Sequence, residues 1–206
     1  MSRPPLDSSP VTVDLTGRES PVSWPELFGT DSPVELEVGS GKGLFLVNAG
    51  GCNPRHNFLG IELSRKYAGQ AAGRVAKRAL PNVKVLCGDA RAVLARLIPA
   101  ASLRAVHVYF PDPWWKKRHK KRRVFTGPFV VDVERALEPG GDFRMATDVE
   151  EYFGVMLELM AQHPRFVAQP PPAPNTPEHD LDYLTNFERK YRIQGRPIFR
   201  AHYHLG

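Results

Sequence analysis

The chain has 206 residues, of which 42% are hydrophobic, and this composition suits one substantial domain and excludes wholesale disorder. The formal net charge is +6, but residues 116–123 hold seven of the 28 basic residues, and the rest of the chain carries 21 basic against 22 acidic residues. This distribution favours one local site for an anion, such as a nucleic-acid backbone, over a diffusely basic, histone-like chain.

The composition excludes several further classes of protein. No apolar run approaches the ~20 residues that span a bilayer, and the first ten residues lack the apolar core of a signal peptide. Cys52 and Cys87 are the only cysteines and have no metal-type spacing, so neither a disulfide scaffold nor a zinc module is expected. We expect a soluble protein of the cytoplasm, a monomer or homodimer with no membrane partner.

The chain begins with a segment unlike the rest. Residues 1–33 are rich in Pro, Ser and Asp, which predicts an arm that docks through Trp24 and residues 27–28. Regular hydrophobic alternation starts at Val34, so we expect residues 34–206 to form a single domain.

From Val34 onward, apolar runs of strand length alternate with helical patterns. Strands are predicted at residues 34–38, 57–62, 83–87, 105–110, 142–147 and 197–203. Helices are predicted from residue 44 and at residues 64–80, 91–97, 126–137 and 149–162. Six prolines between residues 164 and 177 predict a loop. The alternation indicates an α/β fold, a Rossmann-like, doubly wound, mostly parallel sheet of about seven strands with an antiparallel last strand.

Loop glycines or carboxylates follow five of the predicted strands. In parallel sheets, ligands bind at the carboxyl ends of the strands. The residues at or just past these ends are Gly39, Glu62, Asp89, Asp112 and Asp148. The sequence therefore predicts a binding site at this edge of the sheet.

Three ligands compete for the loop Gly39-Ser-Gly41-Lys-Gly43. A Walker A phosphate loop fails because Leu36 stands where its first glycine belongs. A dinucleotide fingerprint needs its third glycine one residue later, and Glu37 would place negative charge near the pyrophosphate. S-adenosylmethionine carries a sulfonium and an ammonium group, which nearby carboxylates would attract, so the acidic spacing favours this methyl donor. A glycine-rich turn without a ligand is the remaining alternative.

Four motifs together resemble the bacterial tRNA (guanine-N7-)-methyltransferase family, which has a class I S-adenosylmethionine-dependent fold. They are residues 37–43 (EVGSGKG), 60–62 (GIE), 88–90 (GDA) and 110–123 (FPDPWWKKRHKKRR), and residues 147–148 and 185–188 match later family motifs. The resemblance covers about residues 22–196. It implies methylation of guanine N7 in the tRNA variable loop, with tRNA as partner and no metal.

The resemblance also assigns roles to individual residues. The implied donor-binding residues are Glu37, Gly39, Gly41, Gly43, Glu62, Asp89, Ala90 and Asp112, and Asp112 is also the implied catalytic residue. The implied guanine-binding residues are Lys116, Asp148, Thr185, Asn186, Phe187 and Glu188. The basic residues expected to bind RNA are Arg118, His119, Lys120, Lys121, Arg122 and Arg123, and the basic positions from Arg189 to Arg200 extend this expectation.

Less specific interpretations stand beside these assignments. Asp112 lies between two prolines and suits a turn, and one of Trp114 and Trp115 suits the core. His202 and His204 share a strand face, but two histidines without a third ligand predict surface residues rather than a metal site. Two rival functions remain: an amino-group methyltransferase, whose motif would need a second proline directly after the first, and a non-catalytic RNA-binding protein on the same fold.

Overall fold

The computed structural model describes residues 7–173, 176 and 183–206, and their strands form one sheet. The strands are β1 (Thr12–Val13), β2 (Val34–Val38), β3 (Asn57–Glu62), β4 (Val83–Cys87), β5 (Leu103–Tyr109), β6 (Leu137–Thr147), β7 (Phe166–Gln169) and β8 (Phe199–Leu205). Their order across the sheet is β1-β4-β3-β2-β5-β6-β8-β7. All pairs from β1 to β6 are parallel, whereas β8 runs antiparallel to both β6 and β7.

Helices connect the strands and cover both faces of the sheet. They are α1 (Trp24–Phe28), α2 (Leu44–Cys52), α3 (Arg65–Lys77), α4 (Ala90–Leu97), α5 (Gly127–Ala136), α6 (Glu150–Met160) and α7 (Asn186–Ile193). Short 3-10 helices occupy Ser9–Val11 and Lys117–Arg122. Ser64, where the predicted helix starts, accepts a hydrogen bond from the amide of Tyr67 and so caps α3. None of the helices in the described ranges is long and apolar enough to cross a membrane.

The hydrophobic core has two parts, one on each face of the sheet. The larger part packs α4, α5 and α6 against β5 and β6, with Phe125, Phe129 and Phe143 fully buried. The smaller part packs α2 and α3 against β3 and β4 around Phe58 and Val75. The two layers hold the sheet rigidly, so the ends of its strands have fixed positions.

The strand order creates a switch point beside β2. The chain passes from β2 to β3 and β4 on one side, and then returns to place β5 on the other side of β2. The connections therefore diverge at the carboxyl ends of β2 and β5 and leave a crevice between them. Gly39 follows β2 and Asp112 follows β5, so both predicted site segments border this crevice.

The fold confirms the doubly wound sheet and differs from the prediction in detail. The sheet has eight strands within the described residues, because β1 lies in the predicted arm and β7 lies among the prolines that predicted a loop. The two residues of β1 extend the sheet edge beside β4, and Trp24 packs against the larger core as expected. Residues 174, 175 and 177 of the proline-rich segment lie outside the described residues.

Candidate active site

The glycine loop after β2 is shaped by left-handed backbone and by one carboxylate. Gly41 and Gly43 have φ angles of 53° and 74°, a region that favours glycine, and a Cβ on Gly43 would lie 2.8 Å from the Cβ of Ala71. The amide of Gly41 donates to Glu62 Oε2 over 2.8 Å, and the amide of Ser64 donates to Glu62 Oε1 over 2.8 Å. Glu62 therefore joins the end of β3 to the loop, and each of its oxygens keeps accepting capacity.

Glu37 is a buried carboxyl group without an ion-pair partner in the described part of the chain. It is 3% exposed near the end of β2, and its Oε2 has no hydrogen-bond partner among the described residues. Burial, together with the negative charge of Glu62, raises the pKa of Glu37 to about 8. An unpaired buried acceptor is costly, and such groups concentrate where a ligand completes the site.

Asp89 begins α4 and holds an arginine that the sequence analysis did not single out. Its Oδ1 accepts from the amide and Nε of Arg91, and its Oδ2 accepts from Arg91 Nη2 over 2.8 Å. The hydrogen bonds from the Arg91 side chain lower the pKa of Asp89. Arg91 Nη1 also donates to the carbonyl of Lys121 over 3.0 Å. One guanidinium thus links the end of β4 to the basic segment.

The loop after β5 presents Asp112 to solvent on a strained backbone. Phe110 and Trp114 both have positive φ angles, 52° and 39°, although neither is glycine. Asp112 lies between them and is exposed. Burial raises the pKa of Tyr152 to about 12, and the charge of Asp112 contributes to this shift. Strained backbone of this kind is typical of functional loops.

Arg123 anchors this loop. Its Nε donates to the carbonyl of Pro113 over 2.6 Å, and its guanidinium lies 5.1 Å from the Trp115 ring centre and 5.0 Å from the Tyr152 ring centre. Because Arg123 packs against two aromatic rings, its guanidinium stabilises the loop and does not extend into solvent. Trp115 is 41% exposed, so it lies outside the core.

The rest of the basic segment faces outward. The 3-10 helix Lys117–Arg122 follows the Asp112 loop, and its exposed cationic side chains are free of carboxylate contacts in the described part of the chain. The exposed residues here are Lys116, Arg118, Lys121 and Arg122, whereas His119 is half-buried. The side chain of Lys120, a predicted RNA contact, lies outside the described part of the structure.

Apart from Lys116, which lies in the basic segment, the predicted guanine-binding residues lie at the end of β6 and the start of α7. Thr185 begins α7, where its Oγ1 accepts from the amide of Glu188 over 3.0 Å, and Glu188 Oε2 accepts from the amide of Leu184 over 2.8 Å. This reciprocal arrangement is close to a capping box. Asn186 is half-buried, and Phe187, the next residue, is 49% exposed.

Arginines meet both carboxylates of this region. Arg200 Nη2 donates to Glu188 Oε1 over 2.7 Å, with Arg192 Nη1 at 3.7 Å from the same oxygen. Arg196 Nη2 donates to Asp148 Oδ2 over 2.5 Å. The expectation that these three arginines extend the RNA surface stays a prediction; in the structure they pair with carboxylates of this region. Arg192 lies only four positions from Glu188, whereas Arg200 and Arg196 lie 12 and 48 positions from their carboxylate partners, a separation for which no local sequence signal exists.

Two further polar clusters escaped prediction. His107 is fully buried and hydrogen bonds Glu35 Oε2 over 2.7 Å and the Tyr109 hydroxyl over 2.9 Å. Burial opposes ionisation of Glu35, but hydrogen bonds with His107 and His56 lower the pKa of Glu35 to about 2. This network joins Glu35, near the start of β2, to His107 and Tyr109 in the carboxyl-terminal half of β5, and it ties these strands together.

The second cluster places the carboxylate of Asp142 beside His202 and His204, which lie without a third polar partner in the local sequence. Asp142 Oδ1 lies 2.9 Å from His202 Nε2 and 2.6 Å from His204 Nδ1. Arg144 Nη2 lies 2.6 Å from the other oxygen, Oδ2. The carboxylate is therefore already compensated by an adjacent guanidinium, and the cluster joins β6 to β8.

The sequence is similar to those of known proteins. Residues 31–201 match a family described as "Putative methyltransferase". The tRNA (guanine-N(7)-)-methyltransferase of Rhodopirellula baltica is 47% identical over 183 residues, covering 86% of this chain and 68% of that protein. The enzyme of the same name from Cronobacter sakazakii is 41% identical over 182 residues, covering 88% of this chain and 76% of that protein.

Solved structures with low sequence identity share the fold. The 16S rRNA methyltransferase KamB has a TM-score of 0.64 at 17% identity, covering 88% of this chain and 91% of that one. An antibiotic-related methyltransferase has a TM-score of 0.63 at 16% identity, covering 96% and 98% of the two chains.

The strand order, the glycine loop at the switch point and the carboxylates at the strand ends define a Rossmann-like methyltransferase of class I. Within this class, the chain belongs to the bacterial tRNA (guanine-N7-)-methyltransferase family. The resemblance found in the sequence motifs is thereby confirmed.

Proposed function

We propose that the protein transfers a methyl group from S-adenosylmethionine to N7 of a guanine in the variable loop of tRNA, giving 7-methylguanosine and S-adenosylhomocysteine. The names of its relatives support the reaction and the tRNA substrate. The observation that carries the proposal is the buried, unpartnered Oε2 of Glu37 beside the glycine loop, because a cationic ligand would complete it. The cytoplasm, where tRNA is modified, is the proposed compartment.

The residues around the loop fit this donor in their chemistry. Glu37 offers its carboxylate to the ammonium group, Glu62 has accepting capacity for the ribose hydroxyls, and Asp89 suits the adenine amino group. The turn through Gly39, Gly41 and Gly43 and the start of α4 at Ala90 form the backbone of this side of the site. S-adenosylmethionine supplies an electrophilic methyl group on its sulfonium.

The acceptor atom sets modest demands on the remaining residues. Guanine N7 has an in-plane lone pair and no proton to lose, so the protein needs no strong general base. Its task is to hold N7 in line with the methyl group at near-attack distance. The purine gains positive charge during transfer, and the carboxylate of Asp112 is the group that stabilises this charge.

The tRNA contacts divide into base and backbone. Lys116, Asp148 and the turn from Thr185 to Glu188 serve the guanine, whose Watson–Crick edge offers donors at N1 and N2. The exposed cations Arg118, Lys121 and Arg122 suit phosphates beside the site.

Transfer of a labelled methyl group to unmodified tRNA, followed by nucleoside analysis, tests this function. We expect label in 7-methylguanosine, no label in tRNA that lacks guanosine in the variable loop, and little product with Asp112→Ala. Label in an exocyclic amine would identify an amino-group methyltransferase instead. Absence of donor binding in calorimetry would identify a non-catalytic RNA-binding protein.

A further inference from the structure

The side chains of Asp148, Tyr191 and Arg196 form a compact cluster at the end of β6. The Arg196 guanidinium donates to Asp148 Oδ2 over 2.5 Å and lies over the Tyr191 ring, 4.4 Å from its centre. The Asp148 side chain is 10% exposed, whereas that of Arg196 is 44% exposed. A planar cation thus enters from the solvent side and meets a nearly buried carboxylate and an aromatic face.

The cluster borders the loop that carries Asp112. The Tyr191 ring stacks on Phe187, with centres 6.1 Å apart and planes 25° apart, and lies 5.6 Å from the ring of Phe110. Phe110 directly follows β5 and lies two residues before Asp112. A base held on Tyr191 would therefore lie beside the segment proposed to stabilise charge on the purine.

The chemistry of the occupied position resembles that of one nucleobase. The N1–H and N2–H₂ groups of guanine are adjacent donors on a planar, conjugated ring, as are the N–H groups of a guanidinium. A carboxylate accepts such a donor pair, and an aromatic ring stacks on its face. Adenine presents an acceptor at N1 and would not match the carboxylate.

We propose that Asp148 and Tyr191 form the guanine subsite, and that the Arg196 guanidinium fills this subsite until the target guanine displaces it. The inference rests on the proposed function, and it adds Tyr191 as the stacking residue and Arg196 as an internal competitor.

Glu188, the other carboxylate of this region, holds the turn that lines the guanine and is a poor candidate for a carboxylate that exchanges an arginine for the base. It is 3% exposed, and its oxygens accept from the Leu184 amide and from Arg200. Releasing it would uncap α7 and leave buried charge unpaired, which is costly. Releasing Asp148 breaks a single ion pair whose arginine is 44% exposed and remains hydrated on leaving, so this exchange costs less.

Substitutions at Arg196 and Asp148 distinguish competition for the guanine subsite from a purely structural ion pair. Arg196→Ala removes the competitor, so we expect the KM for tRNA to fall about threefold to tenfold, since the open subsite no longer has to be vacated. The same variant should admit methylguanidine as an inhibitor competitive with tRNA, with a Ki at least about tenfold lower than for the unsubstituted protein. Adding Asp148→Asn to Arg196→Ala should abolish this inhibition.

A remote pair of similar exposure provides the control. Arg104 meets Glu138 over 3.4 Å at the opposite end of the sheet, and both side chains are 39% exposed. Arg104→Ala should change neither the KM for tRNA nor the Ki of methylguanidine. Tyr191→Leu should raise the KM about tenfold more than Tyr191→Phe does, because only leucine removes the stacking surface.

The outcomes separate the inference from the function on which it rests. An unchanged KM in Arg196→Ala, or equal inhibition of both proteins by methylguanidine, would show an ordinary surface ion pair and overturn the inference while 7-methylguanosine still forms. Absence of 7-methylguanosine with the unsubstituted protein would overturn the proposed function itself.

Discussion

The two halves of the crevice treat their carboxylates differently. On the donor side, formed by the ends of β2, β3 and β4, Glu62 accepts backbone amides and Glu37 has an unpartnered oxygen. On the acceptor side, formed by the ends of β5 and β6 and the start of α7, arginines meet Asp148 and Glu188. The donor side therefore has an unpaired carboxyl group that can bind a cationic ligand, whereas the carboxylates of the acceptor side are already paired with arginines of the same chain.

This difference follows from the ligands that the proposed reaction requires. A cationic donor gains most from charge that is unpaired before it binds, because no ion pair must be broken first. A neutral guanine brings no positive charge of its own. An arginine that pairs with Asp148 until the base arrives therefore keeps other cations away from this nearly buried carboxylate. Asp89 lies at the border, where Arg91 connects it to the basic segment.

The largest expected effect lies at Asp112, between the two halves. Asp112→Ala should lower kcat about 100- to 1000-fold, because the charge that develops on the purine loses its nearest stabilising group. Its exposure predicts a change in unfolding free energy within about 0.5 kcal/mol. Single-turnover methyl transfer and thermal unfolding measure the two quantities, and Asp112→Asn separates charge from size. Normal methylation by Asp112→Ala would contradict the assignment.

Glu37→Gln tests whether the donor side depends on unpaired charge. We expect the donor Kd at pH 8 to rise about 10- to 100-fold, because a charged hydrogen bond to the ammonium is lost. Calorimetry in buffers of different ionisation enthalpy should also show proton release when the unsubstituted protein binds donor near pH 7, since the pKa of free Glu37 is raised to about 8.

The same pKa shift predicts how stability depends on pH. The protonated form of Glu37 is favoured by folding, so its contribution is complete below the ordinary pKa of 4.5 and is lost as pH rises through about 8. Without donor, the unsubstituted protein should therefore lose stability across this window relative to Glu37→Gln. Thermal unfolding of both proteins from pH 5 to pH 9 measures this difference. If the melting temperatures of the two proteins change with pH in the same way, the buried, uncompensated carboxyl group is contradicted.

The donor side could be predicted from sequence far better than the acceptor side. The observed bounds Val34–Val38, Asn57–Glu62 and Val83–Cys87 equal the predicted ones, because an apolar run and the polar or glycine residue after it are both local signals. The strand ends then define the site through topology alone.

The acceptor side depends on pairings between distant residues. Arg196 and Asp148 are 48 positions apart, and no local pattern relates them. Strand β7 has one buried position in four residues, so its apolar signal is weaker than that of the prolines around it. These features arise only after the antiparallel strand β8 has folded back beside β6.

The basic segment distinguishes phosphate contacts from anchoring contacts. Replacing Arg118, Lys121 and Arg122 by alanine should weaken tRNA binding and reduce the slope of log K against log salt by about 2, because each lost phosphate contact removes about 0.7 to 0.9. Arg123→Ala should lower kcat with a nearly unchanged slope, since Arg123 is held by Pro113 and two aromatic rings. Equal slope changes for both variants would place Arg123 on the phosphate surface instead.

Arg91→Ala tests the contact between the donor side and the basic segment. Loss of the guanidinium frees the Asp89 carboxylate and the carbonyl of Lys121, so we expect the Kd for donor and the Kd for tRNA each to rise about threefold to tenfold. Calorimetry with donor and filter binding with tRNA measure the two constants. A change in only one of them would show that Arg91 serves that ligand alone. Arg74→Ala, an exposed position on α3, provides a control.

The smallest expected effect concerns Thr185, which the structure gives a capping role and the family resemblance gives a substrate role. Loss of its hydrogen bond from the Glu188 amide should cost about 1 kcal/mol of unfolding free energy in Thr185→Ala, as is typical of N-caps. Ser64→Ala removes the equivalent cap of α3, away from α7, and should cost a similar amount with no change in the KM for tRNA. If Thr185 only caps the helix, the KM of Thr185→Ala for tRNA will match that of Ser64→Ala. A KM raised about threefold or more, against the same loss of stability, would mean that the hydroxyl or the turn that it holds also contacts the guanine.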